Sequence, residues 1–262
     1  RSITVAFICT IFTKIPVSVE LHGAFSNKLE VLFAKYLSYK KVIFFCITKS
    51  LISYIKTYIK KPTCLYVPDA HASLIAKKNQ LNYYYSDWSV NYRPKVGYFG
   101  LLNNQKGKNI IKGLLRTCCY ADFYIYTLNE FLGEYPNLVE SRTLTYKESL
   151  EMMNKMDFLL LTIVPQNFYR DISSFTSPLK LYEYSSTGRV IIASDIPVLR
   201  DELEDTQVFF SKNTVSDFCN SIKHLSKSSI QRRLISESEL KLAKVSTWTS
   251  RANYIIEKIT NA

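Results

Sequence analysis

Strand-like and helical segments alternate along this 262-residue chain, which predicts an α/β protein built on parallel sheets. Short continuous apolar runs, such as KVIFFCIT (41–48), DFLLLTI (157–163) and VIIAS (190–194), suit strands buried on both faces. Segments of helical period separate them. The alternation starts afresh at Lys95, after a polar, aromatic stretch at 80–94, so the chain reads as two Rossmann-like series.

Taken in order, Ser2 to Phe12 is apolar, and its periodicity leaves helix and strand both open. Pro16 breaks it, and Val17 to Leu21, alternating and β-branched, reads as a strand that runs into His22 and Gly23. Ser26 offers a cap for a helix over Asn27 to Ser38. A strand at 41–48, a helix from Ser50 to about Lys60 and a strand at 64–67 follow, closing on Pro68 and Asp69. Gln80 to Pro94 reads as the interdomain segment. Beyond it come the strand KVGYF (95–99), a turn containing Lys106, a helix at 108–116 and strands at 121–126 and 137–145. A helix at 147–156 leads to the strand at 157–163, and 166–174 is a polar, aromatic loop. The rest reads as a short helix at 198–203, a strand at 208–210, helices at 217–225 and 230–243, and a closing amphipathic helix.

The stretch SFTSPLKLYEYSSTGRVIIASDIP (174–197) is the organising motif. Ser177 is a suitable N-cap, Pro178 fits the first helical position, and Gly188 ends the helix in the left-handed conformation. A helix N-terminus is an anion site, and Lys180 in the first turn, unfavourable for the helix dipole, makes sense beside a polyanion. Glu183, about one turn on, could accept from two vicinal hydroxyls such as those of a ribose. From spacing alone, an ordinary capped helix followed by a strand accounts for the same residues. His22 follows a strand, at the carboxyl edge where open α/β sheets place ligands, though a structural histidine fits as well.

The formal net charge of +12 favours anionic partners. Its lysines are dispersed rather than gathered in a tract, which argues against nucleic acid. The six cysteines form no C-x-x-C pair or zinc spacing and read as free thiols in a reducing cytoplasm. No run has the length of a membrane span, and no Asp-x-Asp motif is present, so no metal is expected. His71 and His224 carry little signal, and His224 reads as a surface residue.

SPLKLYEYSSTGRVIIASDIPVLRDEL resembles the donor-binding segment of retaining GT-B-fold glycosyltransferases of the group-one, family-four type, in the branch reading S-P-L-K-L-F-E-Y. VSVELHG, ITKSLISYI, VPDAHA, the strand–Gly100–Lys106–Gly107 segment and the S-x-W-x-x-R-A ending match the same family, with His71 where it usually has Asp. The likeness covers about Tyr92 to Ala262, and Ile15 to Ala72 more loosely. It implies two Rossmann-like domains in GT-B arrangement. Residues 1–90 would form a partial acceptor-side domain, 91–245 the nucleotide-sugar-binding domain, and 246–262 a helix crossing back. Arg1 and Ser2 look like the end of a strand, so that about 70–90 residues of the first domain would lie upstream.

The resemblance also implies the site. Glu183 would bind ribose, and Lys106, Lys180 and the backbone at Ser177, Pro178 and Leu179 would face the diphosphate, with Gly100 lining the donor. The loop at Thr143 would lie against the nucleobase and 166–174 over the donor. Lys106, Lys180 and His22 would serve transfer, His22 from the acceptor side, with no protein base because a donor phosphate oxygen takes the acceptor proton. Many relatives carry a second Glu where this chain has Phe175, and often an Arg where it has Leu101. The implied activity is sugar transfer from a nucleotide-diphosphate sugar to a glycan or glycolipid hydroxyl, in cytoplasmic surface-polysaccharide synthesis, with peripheral contact to an anionic membrane allowed for. A non-catalytic nucleotide-sugar-binding remnant and a sugar-nucleotide epimerase of the same fold are the alternatives.

Overall fold

Among the described residues the apolar runs form two sheets whose strands are all parallel. The computed structural model describes residues 2–13, 16–72, 81–128, 133–165 and 174–261. Contacts divide the chain into two units, Arg1–Asp69 with Asn167–Ser177 and Trp248–Ala262, and Ala70–Gln166 with Pro178–Thr247.

In the first unit, α1 (Ser2–Phe12) precedes β1 (Ser18–Leu21), α2 (Lys28–Tyr39), β2 (Ile43–Cys46), α3 (Lys49–Tyr58) and β3 (Cys64–Tyr66). The sheet order is β1-β2-β3. Alternate residues point to opposite faces. Val19, Leu21, Phe44 and Cys46 therefore pack with Ile3, Leu37, Leu51 and Ile55 of the helices. Ile43 and Phe45 meet Ile255, whose helix α10 (Trp248–Thr260) covers the other face. The 2–12 stretch, open between helix and strand, is helical: Ile3 and Ala6 are buried, and Phe7 stacks on Phe33 at 4.1 Å. Ser2 thus opens a helix rather than ending a strand, and Arg1 lies outside the described residues. Asn27, not Ser26, caps α2 by accepting from the Glu30 amide, and Thr48 caps α3.

The second unit contains β4 (Lys95–Phe99), α4 (Lys108–Thr117), β5 (Asp122–Tyr126), β6 (Leu138–Arg142), α5 (Tyr146–Met153), β7 (Phe158–Leu161) and α6 (Leu179–Ser185). Then come β8 (Val190–Ser194), α7 (Pro197–Glu202), β9 (Phe209–Ser211), α8 (Val215–Ser226) and α9 (Ser229–Val245). The strand order is β6-β5-β4-β7-β8-β9, which is the Rossmann order with its reversal between β4 and β7. Val96, Tyr98, Phe158, Leu160, Val190 and Ile192 face one core, and Phe99, Leu159, Leu161, Ile191 and Ala193 the other. Both faces are covered, which is why these strands read as unbroken apolar runs.

The 80–94 stretch from Leu81 onward is fastened into this unit, and Gln80 lies outside the described residues. Leu81 and Tyr84 are buried in its core, and the Tyr84 hydroxyl donates to the Asp157 carbonyl while accepting from the Val190 amide. Fully buried Arg232 of α9 donates to the carbonyls of Tyr84, Ser86, Leu225 and Ser226 and lies 3.7 Å from the Trp88 ring centroid. Glu239, also buried, accepts from the Ile191 amide at 2.9 Å, and burial raises its carboxyl above the usual range.

Candidate functional site

β4 ends at Phe99, and Gly100, with φ of 109°, turns the chain out of the sheet while its amide donates to the Tyr126 carbonyl. Asn103 caps the short turn Asn104–Lys106 by accepting from the Lys106 amide at 2.9 Å. Gly107, at φ 77°, then starts α4. A Cβ at Gly107 would stand 2.5 Å from Cβ of Thr162, so only glycine fits there. Thr162, just past β7, donates its hydroxyl to the Lys106 carbonyl at 2.6 Å, and the Val164 amide donates to Gln105. The 100–107 loop is thus fixed at the carboxyl ends of β4 and β7, where the strand order reverses and open α/β sheets bind ligands.

Lys180 reaches this loop because α6 is tied to β4. The Phe99 amide donates to the Tyr184 hydroxyl at 3.1 Å, and Lys180 is one turn earlier on the same helix. Its Nζ sits 4.0 Å from the centroid of the buried Tyr98 ring, a cation–π contact, and a Cβ on Gly100 would lie 2.9 Å from its Cε. The Tyr98 hydroxyl donates to the Leu101 carbonyl at 2.6 Å and lies 3.5 Å from that of Lys106. Burial, then the neighbouring Lys106 charge, lowers the Lys180 ammonium to about 7. Burial lowers Lys106 as well. Among the described residues neither ammonium makes an ion pair, and the charge of Lys106 is felt at Lys180.

Glu183, one turn beyond Lys180, is partly buried, and burial raises its carboxyl. A hydrogen bond from Tyr146 and the nearby His71 and Lys180 pull it back down. His71 is itself buried, with Nε2 2.9 Å from the Ala243 carbonyl and Nδ1 unpartnered. Thr143 is exposed past β6, its hydroxyl donating to the Thr127 carbonyl at 3.0 Å. Leu179 is exposed at the start of α6.

The helix start differs from the expected one by a residue. Pro178, in extended conformation, is the N-cap of α6, and no side chain caps its first amides. Ser177 belongs to the first unit, where its hydroxyl accepts from the Asp69 amide at 3.2 Å instead of from the helix. His22 is in that unit too, exposed, with Nε2 2.8 Å from Glu20, which also pairs with Arg251 at 2.6 Å. Phe175 packs there against Tyr54, with ring centroids 5.1 Å apart. The loop expected over the donor lies, at 166–173, outside the described residues.

Gly100, Lys106, Lys180 and Glu183 are therefore gathered at one sheet edge. Tyr98, Tyr146 and His71 join them without having been singled out for it. The inward face of KVGYF was the one signal for Tyr98, and nothing local marked the other two. Among the described residues no group of three or more His, Cys, Asp or Glu could hold a metal ion, and no helix is long and apolar enough to cross a membrane.

No protein-family model matches the chain, and no curated protein matches it either. Solved structures do. Anabaena HepE in complex with UDP superposes with a TM-score of 0.74 at 14% identity, over 99% of this chain and 76% of that one. A glycosyltransferase from Rickettsia africae gives 0.72 at 12% identity, over 97% and 73% of the two chains. Sucrose-phosphate synthase from Thermosynechococcus elongatus gives 0.71 at 10%, over 99% and 71%. The likeness shows the fold, an α/β architecture with Rossmann-like units of the GT-B glycosyltransferase kind.

Proposed function

We propose that the protein is a glycosyltransferase that moves a sugar from a nucleotide-diphosphate sugar to an acceptor hydroxyl with retention at the anomeric carbon. The observation that carries this reading is the pair Lys106 and Lys180, two ammonium groups without ion-pair partners among the described residues, beside Gly100 at the strand-order reversal. Diphosphate is the anion that such a pair fits. It is also the leaving group whose developing charge has to be stabilised, and fixed cations in a partly dehydrated site do this well. Glu183 would take the ribose hydroxyls, Leu179 and Pro178 would border the diphosphate, and Thr143 would lie toward the base. With charge neutralisation supplied by lysine, the reaction runs without a metal, and a phosphate oxygen of the donor receives the acceptor proton. His22 would serve the acceptor. HepE was solved with UDP, with UDP and glucose, and with UDP-glucose, which makes uridine donors the first to test. Surface-polysaccharide synthesis, at the cytoplasmic face of a membrane, is the setting this chemistry suits.

Phe175, packed on Tyr54 where relatives carry a carboxylate, favours a second reading in which nucleotide sugars bind without transfer. A thermal-shift screen of the full-length protein against UDP-, GDP-, ADP- and dTDP-sugars tests binding. One of these is expected to raise the melting temperature, with Lys106→Ala and Lys180→Ala abolishing the shift. No response to any of them would overturn both readings, and binding without release of the nucleoside diphosphate to any hydroxyl acceptor would leave the second.

A further inference from the structure

The carboxyl ends of the first sheet carry a polar cluster of their own. In β1, Val19 and Leu21 point into the core shared with α2 and α3, so Glu20 points to the opposite face. Its register partner Phe45 meets Ile255 of α10, and Arg251 lies one turn before Ile255 on that helix. The Arg251 guanidinium donates to Oε1 of Glu20 at 2.6 Å and to Oε2 at 3.5 Å. Its Nε donates to the Pro68 carbonyl at 2.7 Å. One arginine thus ties the end of β1 to the chain that leaves β3, across the end of β2. His22, two residues beyond Glu20, places Nε2 2.8 Å from the same Oε1. We propose that Glu20 and Arg251 are positioning residues for His22, holding its ring with the proton on Nε2 so that Nδ1 accepts a hydrogen bond from a hydroxyl of the sugar acceptor.

The place of the proton follows from counting donors and acceptors. An ionised carboxylate only accepts, so the ring nitrogen in contact with it is the one that donates. In a neutral ring the other nitrogen then keeps its lone pair. Arg251 engages both oxygens of Glu20, which fixes the carboxylate and with it the direction of the bond from Nε2. The His22 side chain is 60% exposed and that of Arg251 12%, so the ring is open to a ligand while its support is not. Nδ1 takes a hydrogen bond and no proton, and the acceptor proton still passes to the donor phosphate. The choice of a sugar hydroxyl as ligand rests on the glycosyltransferase reading, whereas the state of the ring does not.

Other contacts in the molecule show what is particular to this one. Arg93, Arg142 and Arg200 also pair with carboxylates, but their side chains are 41–46% exposed, and such surface pairs hold geometry weakly. His224 places Nε2 2.6 Å from Oε1 of Gln231. An amide end carries both donor and acceptor, so that contact suits either tautomer, whereas the Glu20 carboxylate suits one.

With three histidines in the chain, the ring can be observed directly. The full chain is labelled with nitrogen-15 in its histidine rings, the ring signals are followed by NMR to their high-pH limit, and His22→Asn assigns those of His22. His71 is an internal standard, because its Nε2 contacts the Ala243 carbonyl and therefore carries the proton. His22 is expected to show the same pattern as His71. Glu20→Ala should move it toward the tautomer mixture of a free ring, and Glu20→Gln, whose amide oxygen still accepts, should restore it. Arg251→Lys, which keeps the charge but not the fork, should move it in the direction of Glu20→Ala. The His71 signals should stay in place throughout, which reports that each variant is folded. In transfer from UDP-glucose to a panel of methyl glycosides, Glu20→Ala should raise the acceptor KM about threefold to tenfold and leave the UDP-glucose KM unchanged. A wild-type His22 with its proton on Nδ1, a pattern indifferent to Glu20→Ala or Arg251→Lys, or an unchanged acceptor KM would overturn the proposal. A wild-type chain that transfers to no acceptor would overturn the glycosyltransferase reading and the choice of ligand with it, while the spectra decide the state of the ring on their own.

Discussion

Raising the pH should weaken nucleotide-sugar binding while stabilising the empty protein, and Lys180 is the source of both effects. Burial holds its ammonium at about 7 against an ordinary 10.5. Between those values the unfolded chain binds more protons than the folded one, so stability of the empty protein rises with pH through that window. The slope contributed by Lys180 approaches about 1.4 kcal/mol per pH unit. A bound diphosphate favours the charged lysine, so affinity has the opposite sign. It is constant well below pH 7 and falls by up to about tenfold per unit above it. From pH 6 to 8.5 the loss is roughly thirtyfold, or about 2 kcal/mol. At pH 7 binding should take up about 0.5 proton. UDP-glucose is the probe, because its diphosphate keeps a constant charge over this range. Calorimetry at three pH values, in buffers of different ionisation heat, measures affinity and proton uptake together. Thermal unfolding of the empty protein gives the other slope, and Lys180→Met, with its burial kept and its charge gone, is the reference for both. An affinity that is flat from pH 6 to 8.5, or that falls equally in Lys180→Met, would refute the reasoning.

Two further outcomes are expected. Glu183→Ala should lower UDP affinity about tenfold to a hundredfold, the worth of charge-assisted hydrogen bonds to ribose, and leave inorganic pyrophosphate binding unchanged. Equal losses for both ligands by calorimetry would place the carboxylate elsewhere. Gly107→Ala should destabilise the second unit by about 2–4 kcal/mol, from the left-handed backbone and the collision with Thr162, as read from urea unfolding. A midpoint within error of the wild type would mean that the loop yields freely.

How much of this could be read in advance depended on whether the cause was local. Runs such as VIIAS and DFLLLTI encode burial on both faces and appear as β8 and β7 within a residue or two of their expected ends. Ser2–Phe12 stayed open because periodicity does not separate helix from strand in so short a run, and packing of Ile3 and Ala6 against a neighbouring helix decides it. Ser177 illustrates the limit at helix ends. Its hydroxyl suits a cap, but the Asp69 amide, distant in sequence, claims it, and the helix begins one residue later. Of the candidate site, Lys106 and Lys180 could be named from motifs, whereas the Tyr98 ring beneath Lys180 depends on which strand face meets α6. Arg232 was hidden for the same reason. In a polar helical stretch an arginine reads as solvated, and only the folded chain supplies the carbonyls that it holds.

That arginine sets where the chain can be cut. A shortened polypeptide beginning at residue 91 would lack the Tyr84 and Ser86 oxygens that the guanidinium grips and the Trp88 indole it rests on. It would also leave vacant the slots filled by Leu81 and the Tyr84 phenol, uncovering a cation and the foot of two strands to water. Trimming no further than Ala70 keeps these plugs with the body they seal.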